Sequence, residues 1–436
     1  MANPYLPNWE YIPDGEPRVF GDRIYVYGSH DRMDSIDFCD YKLKVWSAPV
    51  SDLSKWTCHG DIFRTRDGAD SPSDVDWTDQ LLFAPDVVER NGRYYLYAYI
   101  VNEKGCVAVA DRPEGPFRLL SKYQYDIPNH YDNGTFIDPG VLVDDDGRTY
   151  IYCGYQGSYM CELKDNMYEV VPGSYRLDII PTAEPHRFFE ACSPRKINGT
   201  YYLIYSPQRG SCLDYATSDS PTGPFTYRGT IVDNGIDFPG GNNHGSVCLI
   251  NGQWYIFYHR MTNGTIMSRR GCVERIQILP DGSIPQVEMT SLGFEESLSP
   301  FELTAADTAC VLKGGCYITE TNIFERPITN ITDGCVMGWK YFDFGEDYSS
   351  KTMQIRLKVR GTGSKGVLHI RLDSEDGEEL GTVAFGEDSG VIGGRIKAVT
   401  GRHAVYLVAQ SGYEGWFAGE MKGRQLLMLD GFVFIK

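Results

Sequence analysis

Short runs of aromatic and β-branched residues recur through the first two thirds of the chain, and most follow an Asn-Gly or Asp-Gly dipeptide. These dipeptides supply the positive φ angles of a tight hairpin turn, and the runs themselves favour strands. The runs are GDRIYVYGS (21–29), NGRYYLYAY (91–99), DGRTYIYCG (146–154), NGTYYLIYS (198–206) and NGQWYIFYH (251–259). Helical periodicity is nearly absent, so the pattern predicts an all-β region with five repeated hairpins.

The spacing of these runs predicts the architecture. Their central tyrosines are 70, 55, 52 and 53 residues apart, at Tyr25, Tyr95, Tyr150, Tyr202 and Tyr255. About fifty residues is the length of one four-stranded blade of a β-propeller. We therefore predict a five-bladed β-propeller.

A second domain is predicted after the propeller. The segment LGFEESLSPFELT (292–304) breaks the strand pattern with acidic residues, serine and proline, as linkers do. The segments beyond it, such as MQIRLKV and HAVYLVAQ, alternate in the manner of half-buried strands, which indicates a β-sandwich. The predicted division is a propeller over 1–294, a linker over 295–305 and a sandwich over 306–436.

Composition narrows the class of partner. The 436 residues carry 41 basic and 59 acidic side chains, a net charge of −18 that repels nucleic acid and anionic membranes on average. No apolar stretch reaches the roughly 20 residues of a transmembrane helix. The twelve cysteines form no C-x-x-C pair, which favours buried free thiols. The N-terminus lacks signal-peptide features, so a cytoplasmic location is expected, or secretion if a leader precedes this sequence.

Ionisable residues precede the repeated strands. Counting back 9 to 12 residues from the five tyrosines gives Asp14, Asp86, Asp138, Glu190 and His244. The strand before each repeated strand is the innermost of its blade, so these side chains are expected to converge on one channel mouth. Clustered carboxyls repel one another, which points to a functional pocket, with Asp86 among its substrate contacts. The alternative is that acidic residues simply begin strands after turns.

Residues 3–294 resemble glycoside hydrolase family 43. The resemblance lies in IPDGEP, FAPDVV, FIDPGV, FFEACSP and GNNHGSV and in the strands that follow them. It implies an inverting hydrolase in which Asp14 is the general base, Glu190 the general acid and Asp138 the residue that orients the acid and tunes its pKa. In such hydrolysis a carboxyl protonates the leaving oxygen while a carboxylate activates water on the opposite face. The family often has Asp-Pro where this chain has Asp14-Gly15.

The resemblance also implies residues around the substrate. Arg269, in SRRGCVERIQ, matches an arginine that reaches the substrate or the acid, and the adjacent Arg270 is an alternative. His30 and Asp31 are expected near the mouth. Phe83 is expected to stack on a sugar face or, equally, to pack in the core.

The resemblance implies no cofactor for the chemistry. Members of this family often hold Ca²⁺ or a similar cation in the channel, beside a histidine that matches His244. Calcium prefers oxygen ligands, so one histidine is weak evidence for it. A structural calcium ion is therefore an expectation at this position.

The C-terminal segments GWKYFDFGED, IRLDSEDGEELGTVAFG and LDGFVF resemble carbohydrate-binding module family 6. Such modules stack a sugar between two loop aromatics, and the corresponding stretch here, SGVIGGRIKAVTG, contains none. Trp339 and Trp416 have no evident place at such a platform. The sandwich is expected either to bind sugar or only to pack against the propeller.

The predicted function is release of α-L-arabinofuranosyl or β-D-xylosyl residues from hemicellulose-derived oligosaccharides. The predicted partner is therefore an oligosaccharide or polysaccharide, with no nucleic acid and no membrane. One alternative is another exo-glycosidase, such as a galactan- or fructan-acting propeller enzyme; a retaining fructosidase would need a Trp-x-x-Asp-Pro-type opening that this chain lacks. The other alternative is a non-catalytic glycan-binding propeller, which loss of any one of the three acids would have favoured.

Overall fold

The structure is a computed structural model that describes residues 2–102, 105–122 and 136–436. Its regular structure in these ranges is β-strand apart from one α-helix, α1 (Trp416–Met421), and one 3-10 helix (Ala306–Thr308). None of the helices in those ranges is long and apolar enough to cross a membrane. Five small sheets are followed by two larger ones, so the predicted all-β propeller and sandwich are confirmed.

Each of the first four blades is a four-stranded sheet whose strands follow one another in chain order. Blade one contains β1 (Glu16–Phe20), β2 (Arg23–Gly28), β3 (Lys42–Pro49) and β4 (Thr57–Arg64), and blade two contains β5 (Leu82–Arg90), β6 (Arg93–Ile100), β7 (Cys106–Ala110) and β8 (Arg118–Lys122). Blade three contains β9 (Gly140–Val143), β10 (Thr149–Cys153), β11 (Tyr159–Leu163) and β12 (Arg176–Leu177), and blade four contains β13 (Phe188–Ile197), β14 (Thr200–Pro207), β15 (Cys212–Ser218) and β16 (Thr226–Asp233). Blade five contains β17 (Ser246–Ile250), β18 (Gln253–Met261) and β19 (Arg269–Ile276).

The repeated aromatic run is the second strand of every blade, antiparallel to the inner strand. The turn between β5 and β6 shows how the sequence sets this pairing. Asn91 and Gly92 have φ angles of 53° and 75°, the left-handed region that a two-residue hairpin turn requires. The turn dipeptides therefore fix the register of the inner strands, which carry the candidate chemistry.

Separate hydrophobic clusters fill the wedges between neighbouring blades. Four wedges have their own clusters, and the wedge between blades four and five belongs to a cluster shared with the sandwich, so the five inner strands are held facing a common channel. Members include Tyr27 and Leu96 between blades one and two, Tyr97 and Ile151 between two and three, Tyr152 and Leu203 between three and four, and Val26 and Phe257 between one and five.

The N-terminal segment joins the first blade to the last. Tyr5 donates its backbone N–H to Gly271 O at 3.3 Å, and Asn3 Nδ2 donates to Val273 O at 2.8 Å. Both acceptors lie on β19, the outermost strand described in blade five. The segment therefore covers the free edge of blade five and closes the ring.

The sandwich consists of two facing antiparallel sheets. In the first, β22 (Tyr317–Ile318), β23 (Ile328–Ile331), β30 (Leu427–Ile435), β25 (Thr352–Gly361) and β28 (Gly390–Lys397) lie side by side, with β20 (Thr304–Ala305) also paired to β30. In the second, the order is β21 (Val311–Lys313), β24 (Val336–Asp343), β29 (Arg402–Ser411), β26 (Gly366–Leu372) and β27 (Glu379–Phe385). Buried and exposed residues alternate along β25, so one face of its sheet lies in the core.

The sandwich packs against blade five. One hydrophobic cluster contains residues of both parts, among them Ile256 of the blade and Trp339 of the sandwich. Arg270 Nη1 forms a buried ion pair with Asp307 Oδ2 at 3.2 Å across the junction. The sandwich thus adjoins blade five, whose last strand begins at Arg269.

Candidate active site

The inner strands bring the sequence-predicted side chains together at one end of the channel. Asp14, Asp138 and His244 directly precede inner strands, and Glu190 lies near the start of β13. His244 lies between two of the acids, with Nδ1 4.0 Å from Asp14 Oδ1 and 3.9 Å from Asp138 Oδ2. Asp138 Oδ2 also accepts the backbone N–H of Ala191 at 3.1 Å, which places it beside Glu190. Three acids and one histidine thus share one pocket.

Several of these residues have an unusual backbone conformation. Asp14, Asp138 and Ala191 have φ angles of 56°, 51° and 67°, in the left-handed region that non-glycine residues seldom adopt. Such strain persists where surrounding contacts over-determine the conformation, and it concentrates at functional sites. The strained backbone therefore indicates that the surrounding protein holds these residues in place for a functional site.

Asp14 lies in a cationic, hydrogen-bonding environment. Its Oδ1 accepts from Arg269 Nη1 at 2.9 Å, and its Oδ2 accepts from Ser29 Oγ at 2.6 Å. The Ser29 hydroxyl accepts the backbone N–H of Ala84 at 2.8 Å, which orients its proton toward Asp14. Burial acts to raise the pKa of Asp14, but Arg269 and Ser29 help to outweigh it, so this pKa lies below its usual value. Asp14 is therefore ionised at neutral pH.

His259 holds the backbone of Asp14. Its Nδ1 accepts the Asp14 backbone N–H at 3.2 Å, and its Nε2 lies 3.2 Å from Asn242 O. Burial, followed by the charge of Arg269, lowers the pKa of His259 to about 3, so the ring is neutral. Since Nδ1 is an acceptor, the single ring proton resides on Nε2 and is donated to Asn242.

Glu190 and Asp138 form a contrasting, uncompensated acidic pair. Among the described residues, neither carboxyl forms an ion pair with lysine or arginine. Burial and then the negative charge of Asp14 raise the pKa of Glu190 to about 7. Burial also raises the pKa of Asp138, reinforced by the charges of Glu190 and Asp14 against the opposing effect of His244. The two carboxyls therefore hold a shared proton near neutral pH.

Arg269 is the arginine of the pair that faces the acids. Its Nε and Nη2 donate to the two carboxylate oxygens of Asp31 at 2.9 Å each, which leaves Nη1 for Asp14. Arg270 turns the other way, toward Asp307 of the sandwich. The carboxylate of Asp31 is buried against Arg269, so the structure favours a positioning role for it instead of the predicted place at the mouth.

Asp86 is out of register with the other four predicted residues. It pairs with Tyr97 in the strand register, as Glu16 pairs with Tyr27 in blade one. It therefore lies one step further along the channel than Asp14. There it forms a two-bond ion pair with Arg18, at 3.0 and 2.6 Å, and accepts the backbone N–H of Val141. This geometry favours a structural role linking blades one to three, in place of the predicted substrate contact.

Two further predicted residues lie around the site. His30 bridges Glu10 and Asp40, with each ring nitrogen 3.0 Å from a carboxylate oxygen. Phe83 is partly buried, and its ring meets Tyr99 edge-on at 6.0 Å. It packs against the hydrophobic cluster between blades two and three, and its contact with sugar stays a prediction.

His244 lies in the channel where a calcium ion was expected. Its Nε2 is 4.0 Å from Glu16 Oε1, a buried oxygen with no hydrogen-bond partner among the described residues. Calcium takes six to eight oxygen ligands, yet no group of three or more His, Cys, Asp or Glu residues in the described ranges is arranged to hold a metal. The described side chains therefore do not fit the expected calcium ion as direct ligands.

A cavity of about 690 Å³ opens onto Glu190, within the size range of small-ligand sites. Its lining combines one aromatic ring with amides and hydroxyls, a mixture suited to a sugar, whose faces are apolar and whose edges carry hydroxyls. The lining includes Gln156, Thr182, Phe189, Ser206, Gln208 and Asn242. Sequence reasoning missed these residues as a set because they come from strands and loops of three blades, although Phe189, Ser206 and Asn242 lie within the quoted motifs.

Comparison with known proteins agrees with this geometry. The sequence profile of glycosyl hydrolases family 43 matches residues 12–284. The chain belongs to this family. A xylosidase/arabinosidase from Thermoclostridium stercorarium is 40% identical, covering 93% of this chain and 95% of that protein. Family 43 enzymes need no cofactor for catalysis.

Solved structures of family 43 enzymes share the fold. A Bacillus subtilis arabinoxylan arabinofuranohydrolase in complex with cellotetraose is 24% identical with a TM-score of 0.55, covering 100% of this chain and 97% of that one. CoXyl43, a compost-metagenome β-xylosidase/α-arabinofuranosidase in complex with xylotriose, is 28% identical with a TM-score of 0.54, covering 66% and 97%. The family 43 profile ends before the sandwich, so the resemblance of that part to carbohydrate-binding module family 6 stays a prediction.

Proposed function

We propose that this chain is an inverting exo-glycosidase that releases α-L-arabinofuranosyl or β-D-xylosyl residues from hemicellulose-derived oligosaccharides. The observation that carries the proposal is the contrast between an ionised Asp14 and a Glu190 whose pKa is raised to about 7, in one pocket. Inverting hydrolysis requires this pair of protonation states. The relative named xylosidase/arabinosidase supports the choice of pentoses.

In the proposed reaction, Glu190 donates its proton to the glycosidic oxygen as the bond from that oxygen to the anomeric carbon breaks. Asp14 accepts a proton from a water molecule, whose oxygen forms the new bond to the anomeric carbon from the opposite face. The released sugar has inverted configuration. Proton exchange with solvent then returns Asp14 to its ionised form and Glu190 to its protonated form.

Asp138 is proposed as the modulator of Glu190. Its hydrogen bond to the Ala191 N–H fixes the backbone at the acid, and its nearness keeps a proton on the pair. Arg269, oriented by Asp31, is proposed to keep Asp14 ionised. These roles explain why the two catalytic carboxyls differ in charge although both are enclosed by the protein.

A non-catalytic glycan-binding propeller is disfavoured because all three acids are present and their protonation states differ.

We propose that residues 1–294 carry catalysis and that residues 306–436 form the accessory sandwich. The intervening segment is not free: Phe434 donates its backbone N–H to Pro300 O at 2.9 Å. We further propose a cytoplasmic role in trimming imported oligosaccharides.

The test is hydrolysis of p-nitrophenyl α-L-arabinofuranoside and p-nitrophenyl β-D-xyloside, with NMR of the first-formed sugar. We expect turnover of at least one substrate and a product of inverted anomeric configuration. Turnover of neither pentoside would overturn the substrate class. A product with retained configuration would overturn the water-activating role of Asp14.

A further inference from the structure

The sandwich presents two exposed apolar side chains beside the propeller. They lie in the loop between β22 and β23, residues 319–327, which we call the rim hairpin. Ile323 and Phe324 at its tip are 59% and 71% exposed, and Trp9 of the neighbouring propeller segment is 43% exposed. Exposed apolar side chains that lie together on neighbouring loops are candidates for an interaction site, whereas isolated ones are normal.

The rim hairpin is attached to the propeller by specific hydrogen bonds. Ile318, directly before it, donates its backbone N–H to Thr262 O at 2.9 Å. Asn8 Nδ2 donates to Phe324 O at 3.0 Å, and Tyr11 Oη donates to Glu320 Oε2 at 3.2 Å. The hairpin is thus fixed against the propeller on two sides.

Topology places these contacts on the face that contains the candidate active site. Thr262 begins the loop 262–268 between β18 and β19. Because β18 runs antiparallel to β17, it ends at the edge where β17 starts, next to His244. Asn263 Nδ2 in this loop donates to Tyr11 Oη at 2.9 Å, and the backbone O of Tyr11 accepts from Asp31. The hairpin therefore adjoins the elements that position Arg269.

The loop 262–268 reaches from the cavity toward the rim hairpin. At Gly241, which lines the cavity, a Cβ atom would lie 3.1 Å from Ile266 Cγ2. At Gly264, a Cβ atom would lie 2.9 Å from the ring of Tyr317, the first residue of β22. One short loop therefore touches both the cavity lining and the base of the rim hairpin.

The rim hairpin is internally braced. Arg326 Nη2 pairs with Glu320 Oε2 at 3.0 Å, and Arg360 Nη2 pairs with Glu325 Oε2 at 2.9 Å. The backbone N–H of Phe324 is donated to Asn322 Oδ1 at 2.9 Å. A preorganised loop loses little conformational freedom when a ligand binds, so its exposed side chains are suited to recognition.

We propose that Phe324, with Ile323 and Trp9, forms a distal subsite for the glycan backbone that carries the scissile pentose. The proposal rests on the proposed function and names a xylan-type chain of pyranose rings as the occupant. The apolar faces of such rings pack on aromatic side chains, while ring hydroxyls can bond to amides such as Asn8. The short loop 262–268, which contacts both the cavity lining and the base of the rim hairpin, favours this occupant over a separate protein partner.

The test compares a long with a short substrate in Phe324→Ala. The kcat/KM for arabinoxylan-derived oligosaccharides, divided by that for a p-nitrophenyl pentoside, should fall about 3- to 10-fold, the effect of losing one aromatic stacking contact. Phe324→Trp should restore the ratio. Phe417→Ala, an exposed aromatic of the same sandwich on α1, is the matched control and should leave the ratio unchanged.

Other outcomes separate the alternatives. An unchanged ratio in Phe324→Ala, with a normal melting temperature, would overturn the subsite. A wild-type dimer converted to a monomer by Phe324→Ala in size-exclusion chromatography would identify the patch as a contact between two copies and would also overturn it. Wild-type protein that hydrolyses no pentoside would contradict the proposed function instead.

Discussion

Two halves of the same pocket treat a carboxyl in opposite ways. Asp14 meets a guanidinium, a hydroxyl and a histidine ring that anchors its backbone, and its pKa is lowered. Glu190 meets no lysine or arginine in the described part of the chain and lies near two other acids, and its pKa is raised to about 7. The comparison teaches that neighbours, not residue type, divide the acid role from the base role.

The largest expected effect comes from removing either catalytic carboxyl. Glu190→Gln and Asp14→Asn should each lower kcat by about 10²- to 10⁴-fold or more, since each removes one proton transfer. A dinitrophenyl pentoside, whose leaving group needs little protonation, should be slowed much less by Glu190→Gln. Stopped-flow or steady-state rates measure both effects.

Asp165→Asn, an exposed carboxyl of blade three, serves as the control and should retain wild-type activity. Circular dichroism should show that all the variants fold. If Glu190→Gln or Asp14→Asn keeps more than a tenth of wild-type activity on a substrate with a poor leaving group, the catalytic role of that residue is contradicted.

Removing the positive charge of Arg269 should reduce the difference in pKa between Asp14 and Glu190. In Arg269→Met, burial of Asp14 is no longer opposed by the charge of Arg269, so the pKa of Asp14 should rise. The acidic limb of the kcat/KM profile reports the base in the free enzyme and should move to higher pH. An acidic limb at its wild-type position would show that Arg269 does not set the charge of Asp14.

Removing the carboxyl of Asp138 should change the pKa of Glu190. In Asp138→Asn, loss of the Glu190 proton no longer leaves two neighbouring negative charges, so the pKa of Glu190 should fall and the alkaline limb of kcat/KM should move to lower pH. Asn would also preserve a turn-capping role. An alkaline limb that stays in place, with a wild-type rate, would therefore reduce Asp138 to a structural residue.

The smallest expected effect concerns one hydroxyl. Ser29→Ala removes a hydrogen bond to ionised Asp14, which should raise the pKa of that carboxyl and lower kcat/KM about 10-fold near the acidic limb. The effect should fade at pH values where Asp14 is fully ionised. Ser54→Ala, an exposed serine that bonds to Asp52, is the control. Equal loss at every pH would mean that Ser29 acts on packing and not on charge.

The fold could be predicted from the sequence because its signals are local. Asn91-Gly92 and its four equivalents fix hairpins whose spacing counts the blades, and the acids of blades one, three and four follow from position. Asp86 was predicted to lie at the channel mouth with the other acids, and this was wrong. Counting back from the tyrosines does not distinguish positions that differ by two residues, whereas the strand pairing does. In a channel, two residues along a strand separate the mouth from the interior.

Partners that lie far apart in sequence could not be predicted. Sequence could not decide between Arg269 and Arg270, since neighbours on a strand point to opposite faces and nothing local states which face meets Asp14. Ser29 and His259 act through contacts with residues 15 and 245 positions away. Such contacts are set by how the blades pack, which the strand pattern alone does not specify.

The central claim is that, in the free enzyme, Glu190 retains a proton up to a pH of about 7 while Asp14 is ionised. The most direct test is a ¹³C NMR titration of protein labelled at the glutamate side-chain carboxyl, with Glu190→Gln to assign the signal. The account predicts a midpoint of about 7 for Glu190. A midpoint near the ordinary glutamate value of about 4.3 would contradict it.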